Sequence, residues 1–134
     1  MAELLADMRV TLAELEQSNQ QDLQIIATRF GSAIEAVEET TEWMLAQQNA
    51  ALPAAGSVDY LMMNGRLAGA WLMARSALAA NAMLSDESAD KAYAESIVGL
   101  SRYFAEHELP LVDAARHVVI DGSESTISVA VNQL

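Results

Sequence analysis

The stretch Val58–Met83, VDYLMMNGRLAGAWLMARSALAANAM, is the strongest constraint on what this chain can fold into. It holds no proline, and its charged residues are Asp59, Arg66 and Arg75. Val58, Leu61, Met62, Gly65, Gly69, Leu72, Ser76 and Ala80 fall on one helical stripe. Met63, Leu67, Ala70, Ala74 and Leu78 form a second apolar stripe on another side. A helix that is apolar on most sides is a buried one. This segment is therefore expected to be the central element, with the rest of the chain packed around it. Each glycine inside a helix costs about 1 kcal/mol relative to alanine. Gly65 and Gly69 share a face beside Ala68 and Ala70, where a second helix can come close. Membrane helices use the same small-residue spacing. Asn64, Arg66 and Arg75 lie inside the segment, however, and a charge at mid-membrane is expensive. The reading is close packing in a soluble core, with no membrane span.

The chain of 134 residues suits a single helical domain over residues 1–134 with one core. Two prolines and six glycines leave room for few turns, so long elements with short connections are expected. The fold class is all-α: an antiparallel up-down helical bundle with four main helices. The formal net charge is −12, with seven Lys plus Arg. Such a balance disfavours nucleic acid, which needs a basic face, and anionic membrane surfaces. There is no cysteine, so disulfides and thiolate chemistry are excluded. The N-terminal MAELLADMRV lacks a basic region followed by an apolar core, and a cytoplasmic location is the default expectation.

Leu5, Met8, Leu12 and Leu15 place a peripheral helix over Ala2–Gln17. Leu23, Ile26, Phe30, Ile34, Val37, Thr41, Met44 and Gln48 place a second over Gln20–Gln48. NAALPAAGS, Asn49–Ser57, reads as a loop punctuated by Pro53 and Gly56. After the central helix, Ser85 or Asp86 is expected to cap a fourth helix over Glu87–His107. Tyr93, Ile97, Leu100, Phe104 and His107 share one of its faces. Pro110 removes an amide donor and clashes with the preceding turn, which predicts a kink or break near Glu106–Leu109. The helical pattern resumes to a stop at Gly122. In the tail, residues 123–134, Ile127, Val129 and Val131 alternate as in a strand that would lack a partner. A helical turn or a docked extended segment is expected there.

No catalytic residue, cofactor-binding motif or metal site emerges from spacing. Gly65 and Gly69 lie mid-helix, where their amides are already bonded, so they do not cradle a phosphate. Glu35, Glu38, Glu39 and Glu42 crowd one region without a Glu-x-x-His motif, and read as a solvated acidic face. His107 and His117 have no zinc-type partner at three or four residues. His107 is expected to pack at the kink and His117 to be half exposed. The odd feature is arginine on apolar helices: Arg66, Arg75 and Arg102. A buried arginine needs an acidic partner or an anionic ligand. These three, with Trp71, are the candidate ligand or interface residues. Trp71 and Trp43 are expected as core or interface anchors.

The residues also resemble a known family. Tyr60-Leu61, the small-residue run Gly69-Ala70-Trp71-Leu72, the segment Tyr103-Phe104-Ala105-Glu106-His107-Glu108-Leu109-Pro110 and the end Gln133-Leu134 occur in order. So does ETTEWML, Glu39–Leu45. Together they resemble the extra C-terminal helical domain of FAD-dependent acyl-CoA dehydrogenases. The resemblance covers nearly the whole chain. It implies a parent enzyme that removes hydrogens from the α and β carbons of an acyl-CoA, using a glutamate base and FAD. Both belong to preceding catalytic domains, which are the implied partners, alongside acyl-CoA and a homo-oligomeric assembly. No catalytic residue carries over onto this chain. The implied role is structural, or shaping of the substrate entrance. A stand-alone helical binding or scaffolding bundle that homodimerises is the competing reading.

Overall fold

The computed structural model describes residues 1–129, and these form helices without a strand. The helices are α1 (Ala2–Glu16), α2 (Gln21–Ala46), α3 (Ala51–Ala55), α4 (Ser57–Met83), α5 (Lys91–His107) and α6 (Pro110–Ser128). α2 and α4 form a central pair. α1 lies in one groove between them, and α5 with α6 fills the opposite groove. Three contacts fix the directions. Arg9 of α1 reaches Glu38 near the far end of α2. The Thr41 and Tyr60 hydroxyls hydrogen-bond at 2.7 Å across the α2–α4 connection. Ser101 Oγ of α5 donates to the Met73 carbonyl of α4 at 3.0 Å. The result is the expected all-α up-down bundle, with α5 and α6 acting as one bent fourth helix.

That bend has the expected cause. α5 ends at His107 and Pro110 opens α6. At a first helical position the missing proline amide would be unpaired in any case. The turn keeps helical backbone, with the Glu108 amide donating to the Phe104 carbonyl at 2.9 Å and the Val112 amide to Leu109 at 3.0 Å. The loop reading of Asn49–Ser57 is corrected by α3. Pro53 sits in the first turn of that short helix, where amides have no intrahelical acceptor. The start of α5 is also corrected. Asp90, and neither Ser85 nor Asp86, caps it by accepting the Tyr93 amide at 3.0 Å. Asp86 instead organises the preceding turn, accepting the amide and hydroxyl of Ser88. Nor does Gly122 stop α6, which continues to Ser128. Without a positive φ, this glycine behaves as any helical residue. Ile127 is therefore helical, while Val131, Gln133 and Leu134 lie outside the described residues.

The core joins Leu5, Met8 and Leu15 of α1 to Leu23, Ile26, Phe30, Ile34 and Val37 of α2. Met63, Leu67, Ala70 and Ala74 of α4 close it from the other side. Ala105, Val112 and Val119 complete it. α4 is thus central in contacts but is not buried all round. Its second stripe faces the core, and most of its first is in solvent, with Val58 69% exposed, Leu61 69%, Met62 48% and Leu72 59%, while Ala80 at the end of that stripe is buried. The physical reason is that the neighbouring helices leave the Leu61, Gly65 and Leu72 side of α4 uncovered. A Cβ on Gly69 would come within 3.0 Å of the Phe104 ring, so that glycine does allow close packing. A Cβ on Gly65 would meet nothing within 4 Å.

α5 packs only part of the face its large apolar residues mark against the core: Ile97 and Phe104 are half-buried there. Ala94, Val98, Ser101 and Ala105 are buried. Tyr93, Leu100 and Tyr103 are exposed. Small side chains let α5 lie close enough for Ser101 to reach the backbone of α4, and Tyr93, Leu100 and Tyr103 are left outside while Ile97 and Phe104 stay half-buried against the core.

Candidate functional site

The four candidate residues are placed on α4 and α5 but are not gathered into one pocket. Arg66 points toward the α5–α6 turn, where its Nε donates to Glu108 Oε2 at 3.3 Å. Its side chain is 25% exposed, so it is neither buried nor free. Arg102 spans two helices. Nη1 donates to Asp22 Oδ1 at 2.8 Å on α2, and Nη2 to Glu106 Oε1 at 3.2 Å one turn along α5. The hydrogen bonds to Glu106 first, and then to Asp22, raise its pKa above the ordinary arginine value. Arg75 is exposed and lies over the Trp71 ring, 5.5 Å from its centroid. Trp71 turns the other way, donating Nε1–H to Thr11 Oγ1 of α1 at 2.8 Å. The expectation of buried arginine is therefore corrected. All three guanidiniums sit at the bundle's rim, where their charge stays hydrated and the aliphatic stem covers apolar surface.

The acidic region of α2 is divided between neighbours. Glu38 pairs with Arg9 of α1 at 2.6 Å, and Glu39 with Arg116 of α6 at 3.1 Å. The hydrogen bond from Arg9 lowers the Glu38 pKa. Arg116 is raised chiefly by its bond to Asp113, with a smaller contribution from Glu39. Neither Arg9 nor Arg116 stands out in the sequence, because their partners on α2 are remote in the chain. Among the described residues, no group of three or more His, Asp and Glu is arranged to hold a metal ion. His107 is exposed and stacks on Tyr103 with ring centroids 4.2 Å apart, rather than packing inside the kink. His117 is exposed, with Nδ1 3.0 Å from Asp121 Oδ2. Trp43 is half-buried against the core, as expected of an anchor.

The concave features are shallow. A groove of about 350 Å³ lies between α2 and the start of α6, lined by Arg29, Ser32, Ala33, Leu109, Pro110 and Asp113. An open apolar depression of about 560 Å³ lies at the start of α4, bordered by Met1, Val58, Tyr60, Leu61 and Asn64. Neither contains Arg66, Trp71, Arg75 or Arg102. Every buried side-chain polar atom among the described residues has a hydrogen-bond partner. Among the described residues, no nucleophile is paired with a base and no buried charge is left unpaired. No helix among the described residues is long and apolar enough to cross a membrane.

Comparison with known proteins gives one family. The model of the family described as acetyl-CoA dehydrogenase C-terminal like matches residues 4–130. No curated protein and no solved structure matches the chain.

Proposed function

The chain belongs to the acetyl-CoA dehydrogenase C-terminal-like family, and from that premise we propose that it is the accessory C-terminal domain of an FAD-dependent acyl-CoA dehydrogenase acting in the cytoplasm. The match along residues 4–130 carries this reading. The parent reaction is α,β-dehydrogenation of an acyl-CoA thioester, with FAD taking the hydride. The residues described here do not fit a flavin. Gly65 and Gly69 are mid-helix, and Arg66 and Arg102 are already held by carboxylates of the same chain. In this reading the flavin and the catalytic base belong to the preceding domains of the parent enzyme, which are this domain's partners.

Of the two roles open to such a domain, packing is favoured over shaping the substrate entrance. A CoA phosphate approaching Arg66 or Arg102 would have to displace Glu108, Asp22 or Glu106. It would also approach a chain of formal net charge −12. In the full-length enzyme, Arg66→Ala, Arg75→Ala and Arg102→Ala are expected to leave the acyl-CoA KM within about twofold of wild type. Steady-state kinetics checks this. A tenfold rise in KM with kcat unchanged, about 1.4 kcal/mol of lost substrate binding, would restore the entrance role.

A second reading, a stand-alone scaffolding bundle that homodimerises, draws on the exposed apolar stripe of α4. An immunoblot of source cells separates the two. A band well above 14.4 kDa supports the accessory domain, and a band at 14.4 kDa the free-standing bundle.

A further inference from the structure

We propose that the groove between α2 and the start of α6 is a binding site for a small zwitterion, an α-amino acid with an apolar side chain, whose carboxylate is held by Arg29 and whose ammonium is held by Asp113. Every residue of the site belongs to this chain, so the proposal does not depend on the role proposed above.

The walls follow from helical spacing. On α2, Arg29, Ser32, Ala33 and Ala36 recur at three and four residues and share a face. On α6, Pro110 and Asp113 do the same beside Leu109. The two rows border one concavity of about 350 Å³, within the usual range of ~300–1,000 Å³ for a small-ligand site. Ala33 and Leu109, each 3% exposed, form its apolar floor, and the exposed ring of Pro110 its rim.

The polar groups on the walls have bonding capacity left. Among the described residues the Arg29 guanidinium makes no hydrogen bond or ion pair, whereas Arg9, Arg66, Arg102 and Arg116 are all held by carboxylates. Asp113 stands on the other wall. Its Oδ1 accepts from Arg116 Nε at 3.0 Å. Its Oδ2 lies 4.0 Å from His117 Nε2 and accepts no hydrogen bond among the described residues. Ser32 Oγ donates to the Thr28 carbonyl at 3.1 Å, which leaves its lone pairs for a donor. The first amides of α6 offer no anion site, because those of Leu111 and Val112 already donate to the Glu108 and Leu109 carbonyls.

Charge selects the class of ligand. The groove continues past Ser32 and Asp113 to Glu35, Glu39 and Arg116. Asp113, Glu35 and Glu39 thus outnumber the guanidiniums of Arg29 and Arg116. A phosphate dianion meets a net negative site on a chain of formal net charge −12. A simple cation meets Arg29. A molecule carrying both charges satisfies each wall and adds no net charge. The guanidinium fork suits a carboxylate, to which it can donate twice. An ammonium between Asp113 Oδ2 and Ser32 Oγ meets acceptors, and an apolar side chain covers Ala33, Leu109 and Pro110. Charges at an exposed rim contribute little each, so the expected Kd is on the order of 1 mM.

Titration of the 134-residue chain with L-leucine, followed by amide chemical shifts in NMR, tests the site. Saturating shifts are expected at Arg29, Ser32, Ala33, Leu111 and Asp113, without comparable shifts on α1. N-acetyl-leucine lacks the ammonium and leucinamide lacks the carboxylate, and each is expected to bind about tenfold more weakly. Arg29→Gln is expected to weaken leucine about tenfold, with helix content unchanged because the side chain is exposed. Asp113→Asn is expected to weaken leucine by a similar factor while N-acetyl-leucine binds no less well. That split separates a lost ammonium contact from a general disturbance of the groove. Arg75→Gln, on the exposed side of α4, is expected to change nothing. An absence of saturating shifts through the tens of millimolar overturns the proposal, as does leucine binding that Arg29→Gln leaves intact. Inorganic phosphate or leucinamide binding as tightly as leucine overturns the zwitterion assignment. None of these outcomes bears on the accessory-domain reading, which stands on the family match along residues 4–130.

Discussion

Phe30→Ala is expected to lower the unfolding free energy by about 3–5 kcal/mol, the usual cost of deleting a buried phenyl ring and leaving its cavity behind. Phe30 is fully buried, 0% exposed, and is the largest of the fully buried side chains. It lies on α2, the helix that touches both groove-filling partners as well as α4. No single neighbour can move in to fill the space without leaving another. A domain of ordinary stability holds about 5–15 kcal/mol in all. The variant therefore loses a large share, with a fall in Tm of about 10–20 °C for a domain of this size. Urea unfolding followed by far-UV circular dichroism measures it. A loss under about 1 kcal/mol would mean that the α2 core collapses around the deletion far more readily than cores usually do.

Gly56→Leu is expected to be the second large effect, about 3 kcal/mol, from overpacking. Gly56 joins α3 to α4 where α6 crosses. A Cβ there would stand 2.8 Å from Val119 Cγ1, 3.2 Å from Ser123 Oγ and 3.3 Å from Val119 Cα. The last of these is backbone, so the wall cannot rotate aside and α6 itself must shift. Its φ of −90° is open to any residue, so the penalty is steric and not conformational. The matched comparison is Gly65→Ala, expected to be neutral or stabilising by up to about 1 kcal/mol because nothing stands in its way and alanine is the better helix former. Thermal unfolding of the two variants side by side gives the contrast. Equal effects would mean that the α3–α6 contact is looser than its geometry.

These two sites also show what a sequence makes legible. The spacing of Leu5, Met8 and Leu15, and of Leu23, Ile26, Phe30 and Ile34, marks a single stripe on an otherwise polar helix, and the structure buries that stripe. The break at Pro110 follows from stereochemistry alone. α4 is different because both of its stripes are apolar. Which one is inside depends on where the neighbours lie, and that is a property of the assembly. α5 misleads for another reason. Hydrophobicity ranks Tyr93 and Leu100 above Ala94 and Ser101, yet it is the small pair that lies inside. The candidate site was legible in residue type but not in partnership. Arg66 and Arg102 are paired to carboxylates 42 and 80 residues away, and such separations leave no periodic trace. Gly56 was read as a loop mark, when its lack of a side chain is what admits α6.

Four of the seven Lys and Arg are bound into bridges between elements: Arg9 to Glu38, Arg66 to Glu108, Arg102 to Asp22 and Arg116 to Glu39. Most of the remaining carboxylates form no ion pair among the described residues. Dissolved ions act on these two populations unequally. At about 0.1 M ionic strength the screening length is ~10 Å, longer than the bridges, which span 2.6–3.3 Å. Attraction at contact therefore survives modest salt, while repulsion between distant carboxylates is damped. Added electrolyte tightens this bundle where it would loosen one held by evenly balanced surface charge, and a urea midpoint that climbs with ionic strength is its signature. The same damping lowers the barrier between this acidic bundle and any other like-charged surface, so the medium sets how readily the two meet.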